Sequence, residues 1–268
     1  MKRKIFHLFI ILLTIHIVGL FVQMRFTFPR WPNSESLITI DQRERIELER
    51  WWFWLKTVGL YQRVKNSRGV LLYFHGNWST INDERQLLQN LHRVLPDYSI
   101  IAAELPWYGE NSWIPLESSV YDTAQAYYNY LIQQGYSSEN IIPLWYSIGS
   151  VSAAYIWEHN KTKKIILISP LSSRYDISKV IFGIIIQYIF LLPNSFDNVH
   201  RLQDYKGNLL VIHWDNDNLI PISLWKKIFN GNSSETKQFV SVSGWDHVMI
   251  YNDWNVLKNI SDFVNIKK

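Results

Sequence analysis

The chain contains no cysteine. That excludes a disulfide scaffold, a thiolate metal centre and a cysteine nucleophile. It leaves the compartment open, because oxidising compartments permit disulfides without requiring them. Acidic residues are missing from the first 30 positions, which hold five basic ones (Lys2, Arg3, Lys4, Arg25 and Arg30). The other 238 residues therefore carry 22 basic against 23 acidic side chains, and the formal charge of +4 belongs to the N-terminal segment. A near-neutral remainder lacks the broad basic face that nucleic acid needs, so no nucleic-acid partner is expected. Also missing are G-x-G-x-x-G, G-x-x-x-x-G-K-[ST] and H-E-x-x-H; nothing points to a nucleotide, another cofactor or a metal. With 47% apolar and 19% charged residues, the 268-residue chain has the means to bury a sizeable core and is not disordered.

What is present begins with an apolar run, IFHLFIILLTIHIVGLFVQM over 5–24. Twenty helical residues reach about 30 Å, the thickness of the hydrocarbon layer. A cleaved signal would need a shorter run and a small-residue site, and the first alanine of the chain is Ala102. The expectation is an uncleaved, single-pass signal-anchor helix. Three basic residues before the run against two after it favour a cytoplasmic N-terminus, with the remaining chain on the extracytoplasmic side. Residues 25–56 read as a connector, with 46–55 as helix or an aromatic packing segment, and 57–268 as the folded domain.

From Thr57 short apolar runs alternate with helical patterns. The runs are VLLYF (70–74), SIIAAEL (99–105), NIIPLWY (140–146), KIILISP (164–170), NLLVIHW (208–214) and QFVSVS (238–243). Helices are expected at 83–94, 120–134, 149–159, 222–229 and 248–264. Short continuous apolar runs are the mark of buried parallel strands, and their alternation with helices marks βαβ units. The predicted class is α/β, a mostly parallel central sheet with helices on both faces. Residues 175–203 interrupt the rhythm and are expected to form a short cap.

Open parallel sheets bind ligands at the carboxyl ends of their strands. There stand His75-Gly76-Asn77, Tyr146-Ser147-Ile148-Gly149, Asp215-Asn216-Asp217 and Gly244-Trp245-Asp246-His247. Serine, aspartate and histidine thus arrive in the chain order of one class of catalytic triad. A serine hydroxyl is a weak nucleophile at neutral pH and needs an adjacent base. Ser147 lies between an apolar run and a small-residue helix start, a sharp turn that would expose its hydroxyl and the N–H of Ile148. His247 suits the base and Asp217 the group that orients it.

These segments, with LLYFHGN (71–77), ELPWYGEN (104–111), HWDNDNLIP (213–221) and SGWDH (243–247), resemble the α/β-hydrolase superfamily, in particular its membrane-anchored serine hydrolases with a minimal cap. The resemblance implies Ser147 as nucleophile, Asp217 rather than Asp215 as acid and His247 as base, with the backbone N–H groups of Asn77 and Ile148 as oxyanion hole. His75 would support the oxyanion loop. The chain departs from the pattern at Trp145 and Trp214, where the family usually has glycine. Trp78, Trp145 and Trp214 are the candidates for shaping an acyl pocket, and Trp145 and Trp214 for packing near one another. The expected activity is cleavage of an ester, thioester or amide of a small or lipid-like acyl substrate through an acyl-enzyme. The alternative is an inactive member of the fold that binds a ligand or partner.

Overall fold

The structure is a computed structural model. It describes residues 2–28, 37, 43–49, 56–77, 79–111, 115–183, 196–234, 236–243 and 253–266. The strands are β1 (Glu44–Glu49), β2 (Lys56–Gln62), β3 (Gly69–Phe74), β4 (Tyr98–Ala103), β5 (Ile141–Tyr146), β6 (Lys164–Ile168), β7 (Asn208–Trp214) and β8 (Lys237–Val242). The helices are α1 (Lys2–Thr27), α2 (Arg85–Val94), α3 (Glu117–Gln133), α4 (Ser150–Asn160), α5 (Arg174–Phe182), α6 (Asn198–Leu202), α7 (Ile222–Gly231) and α8 (Trp254–Val264).

All eight strands form one sheet in the order β1-β2-β4-β3-β5-β6-β7-β8. Pairing is parallel from β4 to β8 and antiparallel for β1–β2 and β2–β4. The central strands are buried on both faces, which is why they read as unbroken apolar runs. Alternate side chains divide between two cores. Val70, Leu72, Phe74, Trp145, Leu167 and Val211 face α3, α4, α6 and α7. Leu71, Tyr73, Leu144, Tyr146, Ile212 and Trp214 face α2 and α8 on the other side.

The connector expected over 25–56 is partly sheet. Residues 46–49 are strand, not the start of a helix; residues 50–55 lie outside the described ones. The reason is visible in ERIELE, where apolar and charged residues alternate and Ile46 is buried while Arg45 and Glu47 form an ion pair toward solvent. Arg45 also holds Glu110, at 2.7 and 2.8 Å, which ties this edge hairpin to the turn after β4. In the expected cap, 175–203, the described parts are α5 and α6; residues 184–195 lie outside them.

α1 is 26 residues long. Its side chains are described at 3–19 and 21, and the large apolar ones there are 44–61% exposed. Among the described residues no helix is long and apolar enough to cross a membrane. At its foot Phe28 is buried in the α3–α4 core, edge-on to Phe196.

Candidate active site

β5 ends at Tyr146, a 3₁₀ turn covers Ser147–Gly149, and α4 starts at Ser150. Ser147 has φ +53°. A left-handed backbone costs a residue with a Cβ about 1–2 kcal/mol, so the surroundings must impose it. Two glycines show how. A Cβ on Gly149 would stand 2.9 Å from the carbonyl oxygen of Phe74 and 3.0 Å from that of His75. A Cβ on Gly76 would stand 2.6 Å from the Tyr146 ring and 3.3 Å from Ser147 Cβ. The end of β3, the loop after it and the serine turn are therefore pressed together with no room for a side chain between them. Gly149→Ala is expected to destabilise by about 1–3 kcal/mol, the usual cost of overpacking, because the obstacle is backbone and cannot swing away. Thermal melting checks it.

The two tryptophans that depart from the family pattern belong to the cores. Trp145 is fully buried and stacks on Phe74, its partner across the strand pair, with ring centroids 3.9 Å apart and planes 8° from parallel. Trp214 is equally buried on the opposite face, edge-on to Tyr146. The expectation that they pack near one another is thus corrected: strand positions of opposite parity send them to opposite sides of the sheet. Trp78 lies outside the described residues.

The loop after β3 is braced from below. His75 is fully buried, with Nδ1 2.7 Å from the carbonyl oxygen of Gly76 and Nε2 3.0 Å from the amide nitrogen of Leu105. Glu104 Oε1 is 2.7 Å from the same Nε2. Because the peptide is trans and planar, holding the Gly76 carbonyl toward His75 turns the Asn77 N–H the opposite way. The Asn77 side chain is held as well, its Oδ1 accepting from the Tyr108 hydroxyl at 2.8 Å. Gly109, at φ +51°, lets its turn close directly over the Glu104 carboxylate. Glu104 and Tyr108 were not singled out from the sequence. The one available signal was a glutamate closing an otherwise apolar run, SIIAAEL.

Burial alone would depress the His75 pKa. The charge and hydrogen bond of Glu104, with the Gly76 carbonyl, more than offset this and raise it above the usual imidazole value. A raised pKa makes the folded state bind the proton more tightly than the unfolded chain. Its contribution to stability is therefore fully present below about pH 6.5 and is lost as pH rises through the folded value. His75→Gln should melt below the wild type in acid, and the gap should narrow with rising pH; parallel melting curves across that range would refute the assignment.

Asp217 follows β7. Its carboxylate is buried, Oδ1 accepts from the backbone N–H groups of Leu219 and Ile220 at 3.0 and 2.7 Å, and Oδ2 lies 3.9 Å from His213 Nε2. Two backbone donors fix the carboxylate's orientation. Asp215, the competing residue, is engaged elsewhere: its carboxylate accepts from the hydroxyls of Ser241 and Ser243 beside β8. Strand order sets the loops of β3, β5 and β7, carrying Asn77, Ser147 and Asp217, along one edge, with β8 next. His247, expected just after β8, lies outside the described residues. Ile148 is buried directly after Ser147, in the turn that opens α4. Among the described residues no group of three histidine or acidic side chains is placed to hold a metal ion.

An esterase of Pyrococcus furiosus superposes on 88% of this chain and 96% of its own, with a TM-score of 0.71 at 15% identity. The chain has the α/β-hydrolase fold. Sequence likeness agrees with the α/β-hydrolase superfamily. A protein of Acanthamoeba polyphaga mimivirus named as an alpha/beta hydrolase is 26% identical over 192 residues, 69% of this chain and 70% of that one. A lysophosphatidylserine lipase of Xenopus tropicalis is 25% identical over 239 residues, 78% of this chain. The chain spans only 61% of that lipase's length. No protein-family model matches.

Proposed function

We propose that this α/β-hydrolase-fold chain is a membrane-anchored serine hydrolase that cleaves an ester, thioester or amide of an apolar acyl group. The observation that carries the reading is Ser147 at φ +53° on the turn between β5 and α4. A strained strand-to-helix turn of this kind lifts a serine hydroxyl above the sheet edge and presents the next N–H beside it. Ser147 attacks the acyl carbon. His247, assigned from its place in the chain after β8, takes the proton and returns it to the leaving group. Asp217 holds the imidazole, and the N–H groups of Asn77 and Ile148 receive the developing oxyanion. The solved esterase and the lysophosphatidylserine lipase support hydrolysis, and the lipase supports a lipid ester as the substrate class. Anchoring is proposed from the apolar run over 5–24, which lies within α1. The catalytic domain is assigned to the extracytoplasmic side.

The alternative is an inactive binding protein, with Trp145 and Trp214 standing where the family usually has glycine. Both are housed in the cores while Ser147 keeps its turn conformation. A fluorophosphonate probe tests the proposal: it should label the purified chain covalently, and an unlabelled chain beside a labelled control hydrolase would end the enzyme reading.

A further inference from the structure

Outside α1, eight large apolar side chains are exposed among the described residues. Singly, such residues need no explanation. Their placement does. Leu116 precedes α3 and follows the β4 turn, and it is 54% exposed. Tyr175, Val180 and Ile181 lie on α5, which follows β6. Leu219 and Ile222 follow β7. Trp254, 62% exposed, heads α8 after β8.

Leu116 N-caps α3, Tyr175 lies in the first turn of α5, and Leu219 and Ile222 flank the start of α7, so these four stand where the chain leaves the carboxyl ends of β4, β6 and β7, while Val180 and Ile181 lie in the last turn of α5. For Trp254 the other end of its helix fixes the side: the carbonyl of Val264 accepts from Lys164, the first residue of β6, so α8 runs from the carboxyl edge down to the amino edge. The eighth, Ile132, lies near the end of α3. There Gln134 meets Arg63 and Tyr136 meets Ser99, at the amino edge.

The foot of α1 reaches the same carboxyl edge. Phe28 packs on Phe196, whose ring also meets Tyr121 near the start of α3 and lies 4.5 Å from the Arg174 guanidinium at the start of α5. The amide of Phe196 donates to Glu117, the residue after Leu116. α5 is tied onward to α7 by Asp176 and Lys227 at 2.5 Å. The apolar helix thus leaves the domain between Leu116 and α5, two parts of the apolar rim.

We infer that this rim is a bilayer-docking surface, so that the edge carrying Ser147 and Asp217 lies against the same lipid leaflet that α1 enters, and acyl substrate arrives from the lipid. The inference rests on the anchoring reading above. An apolar rim interrupted by polar residues, with a tryptophan on it, matches the headgroup–acyl boundary, where a surface settles about 5–10 Å deep. A gathered set of this kind marks an interaction site, and the exit of α1 through it selects lipid over protein.

The lack of cysteine makes the test clean. Single cysteines at Ile181, Trp254, Ile132 and Ile11 of the full chain would carry an environment-sensitive fluorophore. The chain would be reconstituted in phosphatidylcholine vesicles with and without nitroxide-labelled lipid. All four sites are exposed, so the substitutions leave the core intact. Labels at 181 and 254 should be quenched at least about threefold more strongly than the label at 132, as expected for immersion at the boundary, and the label at 11 more strongly still. Quenching at 11 with 181 and 254 no different from 132 would overturn the rim while leaving anchoring in place. Labels at 181 and 254 that turn apolar without lipid quenching would mean that protein covers this edge, and would also overturn it. A label at 11 in water would remove the anchoring reading and this inference together.

Discussion

Ser147→Ala is expected to abolish ester turnover, with kcat falling on the order of 10⁶-fold, the effect of removing a triad nucleophile, while the protein stays folded. The alanine keeps the Cβ and the left-handed backbone that Gly76 and Gly149 press into place. It loses one hydroxyl, in a residue only 5% exposed. The same variant should lose fluorophosphonate labelling. Hydrolysis of a p-nitrophenyl ester and a melting curve check the two halves. A rate near wild type would show that the turn carries no nucleophile.

Trp145→Gly is expected to destabilise by about 3–5 kcal/mol, as aromatic truncations in cores do. For a chain of this size that is a fall in Tm on the order of 10 °C, at about 2–4 °C per kcal/mol. The stacked contact with Phe74 disappears, and the space left lies under the β3 and β5 ends that carry Asn77 and Ser147. A gain in ester rate is not expected, because the turn already has its required backbone with the indole in place. Higher activity at unchanged stability would mean instead that Trp145 strains the site.

Much of this was legible in the sequence. The six apolar runs from VLLYF to QFVSVS correspond to β3–β8 with their ends shifted by no more than two residues; burial on both faces writes β3–β7 as continuous apolar strings, while β8, at the sheet's edge and only partly buried, shows as an alternating one. Position at strand ends pointed to Ser147 and to the Asp215–Asp217 loop, and the family resemblance chose Asp217 over Asp215. The hairpin β1–β2 was not seen. Its first strand is at the sheet's edge, with charged residues on its open side, and six residues with few apolar ones give a weak signal. The Glu104–His75 pair was hidden for another reason: its partners are 29 positions apart, and only the pairing of β3 with β4 brings them together. The side of the sheet on which each tryptophan falls was readable from strand parity, but their family positions suggested proximity instead.

The strand order has a kinetic meaning. Asn77, Ser147 and Asp217 stand at the ends of β3, β5 and β7, each about 70 residues from the next, and no local hairpin or helix pair brings any two together. Parallel pairings must close long loops before the contacts that reward them exist, which makes such sheets slow to form. During refolding, helical signal should therefore return well ahead of the geometry around Ser147. Competence for acyl transfer marks the completed sheet, and a chain caught short of it would be compact, rich in helix and chemically silent.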